Sequence, residues 1–465
     1  MRFFCALLLV PLLGACGSAG SDGPVQVAII GEPSDLSEQG LRLSPAAQHL
    51  RAATTEGLVS LDSVGQVVPA IAERWIVTED GQSYIFRLRN SDWPDGRPIT
   101  AEEVRRSLRQ AVNRLSGTSL GLDLVKIADI RAMTGRVIEI RLTSPMPDFL
   151  RLLAQPELGI THRGEGAGPM ALEIDRQAEL ARLQPLPPER LGLPAQEDWE
   201  GSLRPLVVRA LPAGKAAQAF SSGEVDIVLN GQIASFPLAD TGPLSRGNLR
   251  LDPARGLFGL MVRSNRGLLG DPLRREALAM AIDRAALLQP LNIGGWQSST
   301  WIVPAGLFGA NDNRGERWQN LSLEQRRAIA RQRVAGWPGS QGGRPRISIA
   351  MAAGPGNDVL FRQIARDLDQ IGVVAVRARQ GERGDLELYD RLARYDSPLW
   401  YLNQFNCLFR NGICSPEADD MIAQALVETD PGRKEQLLEA AHRELTASNV
   451  FIALGAPVRW SLVRG

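Results

Sequence analysis

The chain has 465 residues, and its 52 lysines and arginines balance its 52 aspartates and glutamates, so the formal net charge is zero. This balance gives no overall field that would attract nucleic acid, which is therefore not expected as a partner. An apolar content of 44% with 22% charged residues is typical of a folded soluble body large enough for two or three globular units.

The N-terminus has the pattern of an export signal. Arg2 precedes an apolar run over residues 3–13, which is too short to cross a bilayer as a permanent helix. The run ends in Leu-Gly-Ala-Cys, a lipobox pattern, which predicts a lipoprotein signal peptide at 1–15 and lipidation of Cys16. An ordinary secretory signal, in which Cys16 has no role, is the alternative. Residues 16–24 then form a flexible tether, and the mature chain is expected in the periplasm or at the cell surface.

The first elements after the tether are a strand, a hairpin and a helix. Residues 25–30 are predicted as a strand, and the alternating residues 84–89 as one strand of a hairpin. Thr100 and Glu103 form a capping box, because the Thr100 hydroxyl can accept from the amide of residue 103 while Glu103 reaches back. A helix is therefore expected to start at Ala101.

Two later segments have the pattern of a strand, a helix and a second strand. They cover residues 205–229 and 346–377. Such a unit places its two strands parallel in one sheet, so an α/β fold is expected.

Cys407 and Cys414 are the only cysteines after the signal region. An exported chain meets an oxidising compartment, which favours a disulfide between them. Two buried thiols remain the alternative. A metal site is less favoured, because the three histidines are scattered and lie far from this pair in the sequence.

Motifs of covalent or cofactor chemistry are missing from the sequence. It contains no G-x-S-x-G elbow, no G-x-G-x-x-G, no P-loop and no H-E-x-x-H. We therefore predict no enzyme activity, no catalytic residue, no cofactor and no metal.

Several stretches together resemble one family, the family 5 solute-binding proteins of bacterial ABC importers, the peptide and nickel binding class. The residues that carry the resemblance lie at 57–62, 65, 68–75, 80–81, 84–89, 93–104, 166–169, 223–227, 273–284, 364–374 and 411–425. Most of them are structural by their chemistry, because they fill a core, form turns or cap helices. The resemblance therefore identifies a fold more sharply than a ligand.

The resemblance implies an α/β periplasmic-binding-protein-like fold of cluster C type, with two lobes, a hinge and a cleft, plus an inserted α+β domain in the first lobe. The implied boundaries place lobe I at 25–44, 165–250 and 450–465, the inserted domain at 45–164, and the mobile lobe II at 251–449.

Ligand contacts are expected in the second lobe, where the chain departs from the family. Peptide binders often carry a segment like A-D-Y-P-D-P, whose acid can meet a peptide ammonium, whereas this chain reads Ala-Arg-Tyr-Asp-Ser-Pro at 393–398. An arginine there favours an anionic group, unless it pairs with Asp390 or Asp396 on the surface. The predicted ligand-binding residues are Glu32, Arg394, Tyr395, Asp396, Trp400 and Asn403. Trp296 and Trp301 either line the cleft or pack beneath it.

The resemblance implies a lipid-anchored, monomeric receptor. Its partners would be a small-molecule or short-peptide ligand and the permease and ATPase complex of an ABC importer. The ligand would drive hinge closure by binding the closed form better. Two rivals are a degenerate signalling or envelope lipoprotein with the same fold, and a secreted hydrolase on a two-lobed scaffold.

Overall fold

The computed structural model describes residues 23–464 except 39, 41, 42, 134, 240–244, 310, 311 and 313. The expected signal peptide, lipidation at Cys16 and most of the tether lie outside these residues. In the described part of the chain, no helix combines the length and apolar character that a membrane span needs.

The described residues contain twenty strands and thirteen α-helices, joined by loops and short 3-10 segments. The strands are β1 (Val25–Ile30), β2 (Val59–Leu61), β3 (Val67–Pro69), β4 (Ala72–Val77), β5 (Ser83–Leu88), β6 (Ile127–Ala132), β7 (Val137–Leu142), β8 (Thr161–His162), β9 (Glu165–Gly166), β10 (Met170–Asp175), β11 (Leu180–Pro185), β12 (Leu206–Leu211), β13 (Ile227–Gln232), β14 (Leu249–Asp252), β15 (Gly256–Val262), β16 (Arg346–Ala350), β17 (Val374–Arg377), β18 (Leu386–Leu392), β19 (Phe451–Gly455) and β20 (Arg459–Val463). The helices are α1 (Pro45–Thr54), α2 (Ala101–Leu115), α3 (Ser119–Leu124), α4 (Phe149–Leu153), α5 (Trp199–Ser202), α6 (Ala213–Ser222), α7 (Ser245–Asn248), α8 (Pro272–Ala281), α9 (Leu323–Ala335), α10 (Pro355–Asp369), α11 (Pro398–Asn403), α12 (Pro416–Val427) and α13 (Pro431–Ala447).

The first lobe is built on a seven-stranded sheet in the order β10-β11-β12-β1-β13-β20-β14. Strand β1 pairs in parallel with both β12 and β13, which confirms the expected strand, helix, strand unit around α6. Val27 and Ile29 pack on one face of the sheet, while Ala28 packs on the other. Because β1 is covered on both faces, its sequence is apolar nearly throughout.

The second lobe has a five-stranded sheet in the order β17-β16-β18-β15-β19. Strands β16 and β17 pair in parallel around α10, as the second strand, helix, strand pattern predicted. Strand β19 pairs with β15, so residues 451–455 belong to this sheet, whereas the sequence-based boundary assigned 450–465 to the first lobe. The apolar runs of β19 and β20 are so close in sequence that their pattern does not show the change of sheet.

The inserted domain contains a four-stranded antiparallel sheet, β4-β5-β7-β6, covered by α2. The hairpin of β4 and β5 and the start of α2 at Ala101 are as predicted. The Thr100 hydroxyl accepts from the Glu103 amide at 3.3 Å, and the Glu103 carboxylate accepts from the Thr100 amide at 3.2 Å. This reciprocal capping fixes where the helix begins.

Two three-residue links, which we call the crossovers, join the two sheets: residues 253–255 between β14 and β15, and residues 456–458 between β19 and β20. The hydrophobic core of the inserted domain, by contrast, continues without a break into the second lobe. Phe86 and Phe149 of the inserted domain belong to the same buried cluster as Trp400 and Phe451 of the second lobe.

Candidate functional site

The predicted binding segment lies between β18 and α11, against the inserted domain. The Arg394 guanidinium donates to both carboxylate oxygens of Glu157, at 2.7 and 2.8 Å, and also to Gln155 at 3.1 Å. The Glu157 side chain is only 1% exposed. Arg394 therefore forms a buried two-pronged ion pair, a geometry in which arginine binds a carboxylate most strongly.

The alternative to a ligand-binding role, in which Arg394 pairs with Asp390 or Asp396 on the surface, does not occur. Asp396 pairs with Arg255 at 2.8 Å, and Asp390 pairs with Arg459 at the same distance. Each of these aspartates is thus engaged by an arginine near a crossover, which leaves Arg394 to turn toward the inserted domain.

Asn403 makes a second polar contact across the same boundary. Its amide Nδ2 donates to Asp123 Oδ1 at 2.7 Å, and both side chains are fully buried. Burial raises the pKa of Asp123 from 3.8 to about 7, although the Asn403 hydrogen bond, the Tyr395 hydroxyl and the Arg394 charge oppose the rise. A buried carboxyl at this pKa changes its charge near neutral pH.

Tyr395 and Trp400 complete the contact with the inserted domain. Both are 3% exposed, and Trp400 packs edge-on against Tyr401 with ring centroids 4.9 Å apart. The Tyr395 hydroxyl has no hydrogen bond of acceptable geometry to any residue in the described ranges. Burial raises its pKa well above the usual value, and the Asp123 charge adds to the rise. We call this boundary the seam. Its polar members are Asp123, Gln155 and Glu157 of the inserted domain and Arg394, Tyr395 and Asn403 of the second lobe.

Glu32 lies apart from the seam. It is exposed at the end of β1, and its backbone N–H donates to the Asp35 carboxylate at 3.0 Å. Within the described residues, it forms no hydrogen bond or ion pair with the other five predicted ligand-binding residues. The structure therefore brings Arg394, Tyr395, Trp400 and Asn403 together at one boundary, but it does not bring Glu32 there.

A cavity of about 280 Å³ lies at the crossovers, lined by both of them. Asp252, Arg255 and Arg459 supply charges of both signs to its wall, and Trp296 closes one side. The Trp296 indole donates to the Ala456 carbonyl oxygen at 2.8 Å, which ties this side chain to a crossover. Through its pair with Arg255, Asp396 also lies beside this cavity.

The sequence pattern identified Asp396 and Trp296 but not Asp252, Arg255 or Arg459. The signal that could have found these three is position, because each stands at or next to a short link between two apolar strands. Trp301, in contrast, packs on His442 and Arg314 and does not line the crossover cavity.

Besides the crossovers, the first lobe contacts the second lobe at the N-terminus of α10. The 3-10 segment Ile233–Ala239 of the first lobe lies against the N-terminus of α10. A Cβ atom at Gly356 would overlap the Ile233 carbonyl oxygen, and Gly354 has φ 151°, in the region that favours glycine. Backbone thus meets backbone here, with no room for a side chain.

The described part of the chain contains no evident metal-binding site. No group of three or more His, Cys, Asp or Glu side chains there is placed to hold a metal ion. Cys407 and Cys414 are joined as a disulfide, with Cα atoms 5.3 Å apart.

Comparison with known families identifies this architecture. The family described as bacterial extracellular solute-binding proteins, family 5 Middle, matches residues 66–405, well over half of the chain. One relative, the probable deoxycholate-binding periplasmic protein YgiS of Escherichia coli K12, is 31% identical over 180 residues, which cover 33% of this chain and 34% of YgiS. The chain thus matches only about a third of that curated relative.

Solved structures extend the likeness over nearly the whole chain. OppA of Burkholderia pseudomallei overlays with a TM-score of 0.78 at 17% identity, covering 96% of this chain and 95% of OppA. The murein tripeptide binding protein MppA of Escherichia coli gives 0.77 at 18% identity over 95% of each chain. An unliganded open form of MppA gives only 0.63, at 18% identity over 95% of this chain and 93% of MppA. At these identities the likeness shows the fold alone.

Proposed function

Because the chain belongs to family 5 of the bacterial extracellular solute-binding proteins, we propose that it captures a peptide-like or other small organic solute by hinge closure and delivers it to an ABC permease. The observation that carries the proposal is that two three-residue crossovers link the lobes beside a charged cavity. A ligand that contacts both lobes only when they are closed would drive the closure by its differential affinity.

The crossover cavity favours a zwitterionic solute. Arg255 and Arg459 line the cavity with guanidinium groups and Asp252 with a carboxylate. A ligand would share or replace the ion pairs that Arg255 makes with Asp396 and Arg459 with Asp390. Burial raises the pKa of Asp252, while the charge of Arg459 opposes the rise. A cationic group of a ligand would stabilise the ionised form of this carboxyl. The relatives include proteins named for binding or transporting peptides, glutathione and deoxycholate, which cover both zwitterions and organic acids.

Of the predicted ligand-binding residues, Asp396 keeps the ligand-facing role in this proposal. Arg394 and Asn403 instead hold the inserted domain to the second lobe, because their polar groups bind partners there, and Tyr395 and Trp400 are buried in the core that the two share. Glu32 stays a candidate on the first-lobe side of the cleft, where it is exposed. No covalent step is part of this function.

The proposal includes attachment to a membrane through lipid on Cys16, in the periplasm or at the cell surface, and a monomeric receptor. The lipobox supports the attachment. The variant Cys16→Ser should move from the membrane fraction to the soluble fraction of the envelope. If both forms fractionate with the membrane, the lipid anchor is wrong.

Ligand binding is tested by thermal unfolding of the mature Cys16→Ser protein, after unfolding and refolding to remove bound solute, against peptides, amino-acid derivatives and organic acids. A ligand at about 100 times its Kd should stabilise the protein by about 2.7 kcal/mol. For the ligand found, Arg255→Gln should weaken binding, while the control Arg106→Gln on an exposed helix face should not. Binding that Arg255→Gln leaves unchanged would remove the crossover cavity from the proposal.

One observation favours a second candidate, a non-transport lipoprotein of the same fold. Arg394 stands where peptide binders often carry an acid, and its guanidinium is already bound by the Glu157 carboxylate. A flat thermal response across the whole library would support this candidate over the receptor.

A further inference from the structure

A second cavity lies away from the crossovers, between the first lobe and the inserted domain. Its volume is about 280 Å³, close to the lower end of the roughly 300–1,000 Å³ range of ligand pockets. Helix α1, helix α2 and strand β10 form its walls. No residue of the second lobe lines it, so it is separate from the crossover cavity.

The cavity contains a positive charge without a direct partner. Arg51 is half-buried in its wall, and its guanidinium forms no hydrogen bond or ion pair with any described residue. Burial lowers the pKa of Arg51, while the more distant charges of Glu157 and Glu38 raise it. Partial removal of an ion from water without a direct partner costs free energy, so a bound anion would stabilise the Arg51 charge.

The two acids that line the cavity are already engaged. Glu157 holds Arg394 with both oxygens, at 2.7 and 2.8 Å, and Glu38 accepts the Ser44 amide at 2.6 Å. A second arginine, Arg114 at the end of α2, also lines the cavity and has no ion pair in the described part of the chain. The charge of Glu157 is balanced by Arg394, so Arg51, Arg114 and Glu38 leave the cavity with a net positive charge.

The opposite wall is apolar. Leu172 and Ile174 of the edge strand β10 line the cavity, although they are 40% and 37% exposed to solvent. Both side chains point to the same face of the strand, because they are two residues apart. Covering these two side chains with an apolar group would be favourable, because it removes apolar surface from water.

We propose that this cavity is a second binding site, which takes a small organic acid with its carboxylate on Arg51 and its apolar tail on Leu172 and Ile174. The Ser107 hydroxyl, which accepts the Thr161 amide at 3.0 Å, still has a proton to donate to a carboxylate oxygen. Since Glu157 lines the cavity and also forms the seam, an acid bound here lies next to the contact with the second lobe.

The test is calorimetric titration of hexanoate into the mature Cys16→Ser protein, with acetate and hexylammonium as comparison probes. Hexanoate should bind saturably at one site, acetate more weakly because it lacks the tail, and hexylammonium not at all. Arg51→Gln should weaken hexanoate binding about tenfold or more, because a charge-assisted contact is lost. Arg51→Lys, which keeps the charge but not the two-pronged geometry, should weaken it less.

Arg106→Gln is the matched control, because Arg106 lies on α2 but does not line the cavity. Hydrogen exchange should show protection of α1 and α2 by hexanoate, with no change at the crossovers. Unsaturable hexanoate binding, equal affinity for Arg51→Gln, or protection at the crossovers would each overturn the proposal. The last outcome would leave the proposed receptor function intact.

Discussion

The second lobe meets the rest of the molecule in two different ways. It shares a continuous hydrophobic core with the inserted domain, and the seam adds the buried pairs Arg394–Glu157 and Asn403–Asp123. To the first lobe it is joined by two three-residue crossovers, by the Arg459–Asp390 pair beside one of them, and by the glycine contact at α10.

The difference indicates which contact can move. Separating the seam would expose a large apolar surface and would leave several buried polar groups without their partners. Both changes cost free energy. The contact between the first and second lobes is smaller: besides the crossovers it consists of the Arg459–Asp390 pair and the approach at α10, where Ile233 packs into the core of the second lobe. We therefore expect the crossovers, and not the seam, to be the place where the chain rotates when the lobes close.

The largest expected effect comes from breaking the seam at Glu157. Glu157→Ala should lower the free energy of unfolding in urea by about 3–5 kcal/mol, because it leaves Arg394 without its buried partner. The double variant Glu157→Leu with Arg394→Met should recover most of this loss, since it removes both charges. An exposed counterpart, Glu73→Ala, should cost less than about 1 kcal/mol. A Glu157→Ala loss as small as this would mean that the pair does not hold the seam.

The pH dependence of the seam should be the next largest effect. Because the native pKa of Asp123 is raised from 3.8 to about 7, the native state binds more protons in that window, and stability should fall as the pH rises through it. The loss is complete above pH 7 and amounts to at most about 4 kcal/mol. Asp123→Asn should flatten the stability profile between pH 5 and pH 8 in urea unfolding. Parallel profiles for the two proteins would show that Asp123 ionises normally.

A substitution at the contact between α10 and the first lobe should change the equilibrium between open and closed forms and not the stability of the fold. Gly356→Ala should disfavour the closed form by about 1–3 kcal/mol, because the new Cβ overlaps the Ile233 carbonyl oxygen. Solution scattering should then show a larger radius of gyration. Gly214→Ala, at the equivalent second position of α6 with open space around it, is the matched control and should leave the radius unchanged. Equal radii for both variants and the parent would argue against this contact as the closing one.

The smallest effect is expected at the exposed pair beside the crossovers. The Arg255 and Asp396 side chains are 65% and 40% exposed, so Asp396→Asn should change the free energy of unfolding by less than about 1 kcal/mol. Added salt should reduce even this difference. A loss of unfolding free energy as large as that of Glu157→Ala would contradict the distinction between the seam and the crossovers.

Local sequence signals predicted most of the fold. The capping box at Thr100, the hairpin of β4 and β5, and the two strand, helix, strand units depend on residues near one another in the chain, and all occur as expected. The sheet to which residues 451–455 belong was not predictable in this way, because strand pairing is a long-range choice between two apolar runs.

The candidate site was predicted only in part. The segment with Arg394 and Asn403 was identified from the family resemblance, but its partners Glu157 and Asp123 lie more than 230 residues away in sequence. A local signal for Asp123 did exist, since this acid stands between Leu122 and Leu124 in a short helix. An acid in an apolar stretch predicts a buried partner, but it does not say which one.

The sequence by itself therefore determined the helices, strands, turns and family of this protein, because these follow from periodicity, capping and short motifs. Only the tertiary structure decided that Arg394 serves the seam, that charges of both signs gather at the crossovers, and that Arg51 stands in a cavity without a direct partner. The physical reason is that charges and hydrogen bonds are satisfied by proximity in space, which chain folding sets and sequence distance does not.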